Sequence, residues 1–151
     1  MNSRGLNVTI PYKTEILPFL DELTDECRKV NACNCIKIAG TKWVGYNTDI
    51  VGFEKSFQPF LKPYHKKALI LGTGGASNAV AFVLGKLNID FLKVSRKKNI
   101  AANVISYNDI NEAMMKEFQI VINTNPVGTS PDVNVCSDLP YQFITDRYNF
   151  F

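Results

Sequence analysis

Lys13 and Asp49 are the two charged residues whose surroundings in this sequence best suit proton transfer. Lys13 ends the stretch NVTIPYK at residues 7–13, and Asp49 ends the stretch GYNTD at residues 45–49. A lysine in a cleft beside a carboxylate can give a proton to a carbonyl oxygen within about 2.6–3.2 Å and later recover it. Each residue alone also fits a plain role, as a surface lysine or as a carboxylate at a helix N-terminus. Together they predict an acid–base pair for a ketone reduction that uses a hydride donor.

Short polar side chains lie on the neighbouring segments and suit the binding of a polyhydroxylated substrate. Asn7 and Thr9 alternate at the end of a predicted strand, Asn34 starts an extended segment, and Asn47 precedes a helix. Their amides and hydroxyls can orient substrate hydroxyl groups by hydrogen bonding. We therefore expect these four residues to bind the substrate.

A glycine-rich turn, LGTGGAS at residues 71–77, lies between an apolar run and an apolar helical segment. Gly72 permits the tight turn, and Gly74 and Gly75 let the backbone approach a ligand. The free N–H groups at the start of the helix would then face a diphosphate. Ser77 occupies the third position of the fingerprint, where glycine is usual. A bare tight turn is the alternative, but the strand–helix context favours dinucleotide binding.

The cofactor type can be predicted from the end of the next strand. An NAD site needs an acidic residue there to bind the ribose hydroxyl, and residues 94–98 (VSRKK) contain none. A hydroxyl and adjacent cations suit a 2′-phosphate, so we predict NADP over NAD, with Ser95 and Arg96 as leading contacts. A solvated basic loop is the alternative. A further loop, residues 123–128, follows a predicted parallel strand on the crevice side, where ligands bind.

The composition is that of a globular chain, with 46 % hydrophobic and 21 % charged residues among 151 and a net charge of +3. These values exclude wholesale disorder, and the charge is too small to predict nucleic-acid or membrane binding. No apolar run approaches the roughly 20 residues that span a bilayer. No apolar secretory core follows Met1, so we predict a cytoplasmic location. The four cysteines lack metal-ligand spacing, so we expect packed, reduced thiols and no metal site.

The elements that must position these residues divide into two patterns. Residues 12–20 are predicted to form a short or kinked helix, and 49–60 a helix that Thr48 caps. In the second helix Ile50, Phe53, Phe57 and Phe60 recur at helical spacing and predict a buried stripe. The polar, proline-bearing residues 62–67 are the predicted domain boundary. Beyond it, the order strand, glycine loop, helix, strand predicts a parallel sheet with helices on both faces.

Four motifs in register resemble the shikimate dehydrogenase family. They are Asn-Val-Thr-x-Pro-x-Lys at residues 7–13, Gly-x-Asn-Thr-Asp at 45–49, Gly-x-Gly-Gly-Ala at 72–76 and Ile-Asn-Thr-x-Pro-x-Gly at 122–128. The segment around Asn34 is also similar to an Ala-x-Asn-Thr element of the family. The resemblance implies an α/β enzyme that interconverts 3-dehydroshikimate and shikimate with NADP(H), on the route to chorismate and the aromatic amino acids.

The resemblance also implies the domains and the residue roles. A truncated substrate-binding α/β domain would occupy residues 1–62, and a Rossmann-like NADP-binding parallel sheet residues 63–151. Lys13 would be the catalytic acid–base group and Asp49 its partner, and Asp49 would bind the substrate together with Thr9 and Asn34. The residues implied to bind NADP are Gly72, Thr73, Gly74, Gly75, Ala76, Ser95, Arg96, Lys97 and Asn125.

The sequence departs from the family in several places. Cys35 replaces a threonine, Ser95 an asparagine and Asn125 a threonine, and Lys97 or Lys98 would have to stand in for a later arginine of the phosphate clamp. The family's N-terminal serine pair and its late tyrosine and glutamine have no counterpart here. We therefore expect an internal part of the enzyme, weakly stable alone and with little or no turnover.

Three other readings follow from the same residues. The chain could be a non-catalytic NADP-binding module, or a dehydrogenase that also accepts quinate or NAD. A nucleic-acid-binding domain rests only on the basic clusters at residues 62–67 and 96–98, which lack a recognised motif. The partner that we expect is a small-molecule substrate, with neither nucleic acid nor membrane; the sequence indicates no oligomeric state.

Overall fold

The computed structural model describes residues 4–96, 102–128 and 133–151, which form two β-sheets with helices between and around them. The first sheet has the strand order β1-β3-β4-β2: β1 (Gly5–Asn7), β2 (Glu22–Leu23), β3 (Cys35–Ala39) and β4 (Lys42–Tyr46). β1–β3 and β3–β4 are antiparallel pairs, and β2 runs parallel to β4. β3 and β4 form a hairpin, and Gly40 in its turn has φ 66°, a left-handed conformation that suits glycine.

The second sheet is parallel throughout, with the order β7-β6-β5-β8-β9: β5 (Lys67–Leu71), β6 (Asp90–Ser95), β7 (Val104–Ser106), β8 (Ile120–Asn123) and β9 (Asn149–Phe150). The direction in which successive strands are added to the sheet reverses at β5, because β6 pairs with one side of β5 and β8 with the other. A crevice opens at the carboxyl ends of the strands at such a point. The glycine turn follows β5 directly and therefore lies at this crevice.

Four α-helices accompany the sheets in the described residues: α1 (Asp25–Val30), α2 (Asp49–Phe57), α3 (Gly75–Lys86) and α4 (Glu112–Glu117). α1 begins after Thr24, whose hydroxyl caps the helix by accepting a hydrogen bond from the Cys27 N–H at 3.3 Å. None of these helices has the length and hydrophobicity needed to cross a membrane.

Successive residues of β5 face opposite sides of the parallel sheet. Ala68 and Ile70 pack with α3, whereas Leu69 and Leu71 pack with Met115 of α4. This alternation follows from the two-residue period of a strand. It confirms the α/β class and the prediction of helices on both faces of the sheet.

Helix α3 joins the two sheets. Its Ala79 and Val83 pack against Val30 at the end of α1 and Ile50 of α2. At its far end the Lys86 ammonium donates to both oxygens of the Glu54 carboxylate, at 2.7 and 2.9 Å. The division of the chain at residues 62 and 63 remains a prediction.

Two helix predictions are wrong in part. Residues 12–20 form turns and a 3₁₀ helix (Leu17–Phe19) instead of an α-helix, because Pro18 has no N–H and would clash with the carbonyl one turn earlier. Helix α2 stops at Phe57, and a 3₁₀ turn (Gln58–Phe60) leaves Phe60 56 % exposed. Thr48 occupies the N-cap position of α2, but its side chain makes no cap bond.

The cysteines are free thiols, and their packing differs between the two parts of the chain. Cys27 and Cys33 are fully buried beneath the first sheet with Ile36, as predicted, whereas Cys136 is exposed. The described residues contain no cluster of three or more His, Cys, Asp or Glu side chains that could hold a metal ion.

Candidate active site

Lys13 and Asp49 form a close ion pair, as the sequence predicts. The Lys13 ammonium lies 2.7 Å from Asp49 Oδ2, and the two side chains are 16 % and 34 % exposed. The Lys13 carbonyl accepts a hydrogen bond from the Cys33 N–H at 2.7 Å, while the Leu17 N–H bonds to Thr14. The turn at Lys13 is therefore tied to the strand entry at Cys33 rather than built into a helix.

Asn34 holds the other oxygen of the carboxylate. Its Nδ2 donates to Asp49 Oδ1 at 2.7 Å and to Thr48 Oγ1 at 2.9 Å, and its Oδ1 accepts from the Thr48 N–H at 2.8 Å. Since Lys13 and Asn34 each take one carboxylate oxygen, the orientation of Asp49 is set from two sides. Thr48 was expected as a helix cap and instead links Asn34 to the helix start.

Asn47 has a structural place that the substrate-binding prediction did not anticipate. It is 6 % exposed, its Nδ2 donates to the Ala32 carbonyl at 2.9 Å, and its Oδ1 accepts from the Ile50 N–H at 3.4 Å. A buried amide with both ends bonded to backbone serves the fold. Asn47 thus positions Ala32 and the start of α2, and its contact with a substrate stays a prediction.

Asn7 and Thr9 are exposed to solvent on the same stretch of chain as Lys13. Asn7 ends β1 opposite Cys35, and the Thr9 carbonyl accepts from the Tyr12 N–H at 2.9 Å. The side chains of these two residues thus remain accessible beside the turn that carries the lysine.

The glycine turn has three different environments. Gly72 has φ +125°, and a Cβ there would lie 2.6 Å from Thr124 Oγ1 and 2.8 Å from Asn125 Oδ1. A Cβ on Gly74 would meet no atom within 4 Å, so the backbone there is open. A Cβ on Gly75 would lie 3.1 Å from the Lys13 Cβ and 3.2 Å from the Ala32 Cβ.

These distances correct the role expected for Gly75. The sequence predicted that Gly74 and Gly75 both let a ligand approach, but the space above Gly75 is filled by Lys13 and Ala32. Gly75 therefore lets the first turn of α3 approach Lys13. The space above Gly74 stays open, as a ligand-binding turn requires.

A cavity of about 340 Å³ brings the predicted catalytic and cofactor residues together. Its lining includes Lys13, Thr73 to Ala76 of the glycine turn, Asn78, and the loop residues Thr124, Asn125 and Pro126. A second cavity of about 340 Å³ is lined by Gly72, Thr73, Val94, Ser95, Arg96 and Asn125. Because Thr73 and Asn125 line both, the two cavities adjoin at the glycine turn, and together they are called the groove. Lys97, also predicted to bind the cofactor, lies outside the described residues.

Sequence reasoning missed Asn78 and Thr124 in this groove. Asn78 lines the first cavity one helical turn after Gly74, and the Thr124 hydroxyl donates to the Leu71 carbonyl at 2.8 Å, just before the turn. Their positions could have identified them, because Asn78 is a polar residue in the first turn of the helix and Thr124 follows the end of the adjacent parallel strand.

The chain is similar to shikimate dehydrogenases in sequence. The family model for the shikimate dehydrogenase substrate binding domain matches residues 1–36. The shikimate dehydrogenase (NADP(+)) of Methanococcus vannielii is 36 % identical over 147 residues, an alignment that covers 86 % of this chain and 51 % of the relative. The chain spans about half the length of the curated relatives it matches.

Solved structures show the same similarity in fold. Shikimate dehydrogenase from Aquifex aeolicus superimposes with a TM-score of 0.82 at 31 % identity, covering 97 % of this chain and 57 % of that one. The Thermus thermophilus enzyme, solved in complex with NADP(H) and shikimate, gives a TM-score of 0.81 at 26 % identity and covers 99 % and 57 %. In sequence and in fold the chain is therefore similar to shikimate dehydrogenases, over about half the length of the relatives that it matches.

Proposed function

We propose that this chain carries the acid–base pair and the cofactor turn of an NADP-dependent oxidoreductase that interconverts 3-dehydroshikimate and shikimate. The observation that carries the proposal is the Lys13–Asp49 contact of 2.7 Å, made by a lysine that lines one cavity with the glycine turn. The relatives named shikimate dehydrogenase support this substrate class, as does the Thermus thermophilus complex with shikimate and NADP(H).

The residues along the groove fit a dinucleotide with a 2′-phosphate. The open backbone at Gly74 begins helix α3, whose first N–H groups and positive dipole end favour a diphosphate. Ser95 and Arg96 line the far part of the groove, where the 2′-phosphate would lie. When bound, the reduced nicotinamide supplies the hydride for the carbonyl carbon. Asn125, which lines both parts of the groove, would contact the cofactor near its centre.

Lys13 would move the proton of the reaction. In the direction of reduction, its ammonium would donate a proton to the carbonyl oxygen as the hydride reaches the carbon, giving the alcohol. In the reverse direction, the neutral amine would accept the hydroxyl proton. Asp49 holds the lysine at 2.7 Å and remains a hydrogen-bond acceptor for a substrate hydroxyl. Thr9, Asn34 and Asn7 would complete the substrate contacts.

The Lys13→Ala variant tests the proposal. We expect NADP⁺ affinity, measured by calorimetry, to stay close to that of the unmodified chain. We expect whatever slow NADP⁺-dependent oxidation of shikimate the unmodified chain supports to fall by about 10²–10⁴-fold, as for loss of a general acid–base group. The matched control is Lys42→Ala, which removes an exposed lysine that pairs with Glu22 on the first sheet and is expected to leave both measurements unchanged. An unmodified chain that does not bind NADP⁺ would contradict the proposal.

A non-catalytic NADP-binding module is the second candidate, because the cofactor groove and the polar residues near Lys13 are separable features. A chain that binds NADP⁺ but shows no binding of shikimate by calorimetry, with or without Lys13→Ala, supports this module and contradicts the oxidoreductase proposal. Rates with shikimate and quinate, and with NADP⁺ and NAD⁺, decide the substrate and cofactor preference. The cytoplasmic location stays a prediction.

A further inference from the structure

Lys93 is a half-buried lysine whose ammonium group lies beneath the start of helix α3. It stands on β6 opposite Ile70 of β5, and Phe91 on the same strand face packs into the core on the α3 side. Its Nζ donates to Asn78 Oδ1 at 2.7 Å. Burial lowers the pKa of Lys93, because removal from water disfavours the charged form.

No ion pair formed among residues 4–96, 102–128 and 133–151 includes Lys93. The lysines that do pair with a carboxylate there are Lys13, Lys42, Lys67, Lys86 and Lys116. An ammonium that is drawn out of water without a counter-charge is costly to the fold. A bound anion would offset that cost, and the groove next to Asn78 is the place predicted for phosphates.

The contact with Lys93 decides which end of the Asn78 amide is turned outward. An ammonium has three donors and no acceptor, so it can only take the carbonyl oxygen of the amide. The Nδ2 group is then left with its two N–H donors. Asn78 lines the cavity that contains Gly74, Gly75 and Lys13, and a side-chain N–H there adds to the helix N–H groups that would face a diphosphate.

We infer that Lys93 is a positioning residue for the cofactor: it fixes Asn78 so that Nδ2 donates to a diphosphate oxygen of NADP, and it supplies a nearby positive charge. The inference rests on the proposed function and deepens it, since it assigns Asn78 and Lys93 to the diphosphate and leaves Ser95 and Arg96 to the 2′-phosphate. A merely structural bond between β6 and α3 is the competing explanation. The two differ in their effect on ligands that lack the diphosphate.

The test compares NADP⁺ with adenosine 2′-monophosphate, which has the 2′-phosphate but no diphosphate, by calorimetry on the full chain. For Lys93→Met, which keeps the length and removes the charge, we expect the Kd for NADP⁺ to rise about tenfold, the scale of one hydrogen bond to a charged group. The Kd for adenosine 2′-monophosphate should stay unchanged. Lys93→Arg, which keeps the charge, should restore most of the NADP⁺ affinity.

The matched control is Lys116→Met, which removes the same charge from an exposed site on α4 and should leave both Kd values unchanged. The thermal midpoint of Lys93→Met should not fall, because a half-buried charge is replaced by an apolar side chain. If Lys93→Met does not fold, the Asn78→Asp variant tests the inference in its place. It keeps Lys93, gives it a carboxylate partner and places negative charge beside the diphosphate, so NADP⁺ should bind more weakly in a protein at least as stable.

An unchanged Kd for NADP⁺ in Lys93→Met overturns the inference, and so does equal weakening of NADP⁺ and adenosine 2′-monophosphate. An unchanged Kd for NADP⁺ in Asn78→Asp also overturns the inference. An unmodified chain that binds neither NADP⁺ nor NADPH contradicts the proposed function itself, and the inference with it. The two failures are therefore distinguishable.

Discussion

The two sheets of this chain are stabilised in different ways. In the parallel sheet, the last four residues of β5 and the first three of β8 are buried, and core clusters cover both faces. In the mixed sheet, all of β1 is exposed, and β3 and β4 each bury a single residue completely. Core clusters cover both faces of the parallel sheet, whereas the mixed sheet packs on one small cluster formed by Ile36 of β3 with Cys33 and with Cys27 of α1.

This difference determines how the candidate site is built. The cofactor turn extends from the most buried strand of the chain, so its geometry is fixed by a core. The Lys13–Asp49 pair joins the turn at Lys13 to the start of α2, and its geometry is fixed by hydrogen bonds between Lys13, Cys33, Asn34 and Asp49. Helix α3 connects the two, because Gly75 at its start packs on Lys13.

The largest effect is expected at Phe57, which tests whether the first part of the chain depends on the second core. Phe57 ends α2 but is fully buried in the cluster that contains Ile70 and Ile120 of the parallel sheet and Val80 of α3. Phe57→Ala should lower the free energy of unfolding by about 3–5 kcal/mol, from lost burial and the cavity left behind. Chemical denaturation followed by circular dichroism measures this change.

Phe60→Ala is the matched control for that variant. Phe60 lies three residues later on the same segment but is 56 % exposed, so its truncation should change the stability by less than about 1 kcal/mol. Equal losses for the two variants would contradict the view that α2 is anchored in the parallel-sheet core.

The same contrast explains which parts of the fold the sequence predicted. The strands β5 and β8 and the helix α3 are apolar segments that form the core, and their hydrophobic pattern identified them. Residues 12–20 have helical spacing of Ile16, Leu17 and Leu20, yet Pro18 and the bond from the Cys33 N–H to the Lys13 carbonyl impose a turn. That bond links residues 20 positions apart, so no local pattern could reveal it.

The sequence likewise predicted a part of the candidate site. The pairing of Lys13 with Asp49 and the cavity that Lys13 shares with the glycine turn follow the prediction. The burial of Asn47 and the packing of Gly75 on Lys13 did not, because both depend on where Ala32 lies in the folded chain. Residue types indicated the chemistry of the site. Only tertiary contacts distinguish the side chains that face the cavity from those that fix the surrounding backbone.

The next largest effect is expected at the contact between the two regions. Gly75→Val places a branched side chain where even a Cβ would lie 3.1 Å from the Lys13 Cβ and 3.2 Å from the Ala32 Cβ. We expect a loss of about 1–3 kcal/mol in the free energy of unfolding, typical of overpacking. Lys13 should also be displaced from Asp49, so shikimate oxidation should fall in step, as a coupled NADPH absorbance assay would measure.

Gly74→Ala sharpens this prediction, because the two glycines are adjacent and only one is crowded. Nothing lies within 4 Å of a Cβ at Gly74, and its φ of −83° suits alanine, so stability should be unchanged. The methyl group should instead weaken NADP⁺ binding by entering the groove. A destabilised Gly74→Ala with intact NADP⁺ affinity would reverse the roles assigned to the two glycines.

An effect on stability alone is expected at Asn47, which bonds to the backbone beside the mixed sheet. Asn47→Ala leaves the Ala32 carbonyl without its 2.9 Å donor in a buried position. The expected loss is about 1–3 kcal/mol, the cost of an unsatisfied buried polar group, and it is measured by denaturant unfolding. Asn7→Ala, at an exposed position of β1, should leave stability within about 0.5 kcal/mol. Similar losses for both would mean that Asn47 acts other than through its buried bond.

The smallest change in stability near neutral pH is expected for Cys27, in the core of the mixed sheet. Burial, together with the neighbouring Cys33 thiol, raises the pKa of Cys27 from 9.0 to about 12. Between these values the unfolded chain loses the proton while the folded chain keeps it, so the thiol's contribution to stability is complete below pH 9 and declines as pH rises toward 12. Other groups titrate in this range, so the relevant measurement is the difference in slope between the unmodified chain and Cys27→Ala. The unmodified chain should lose stability more steeply above pH 9 and in parallel with the variant below it. Equal slopes throughout would mean that this thiol ionises as readily in the folded chain as in the unfolded one, and that the mixed sheet's core is open to water where the structure has it closed.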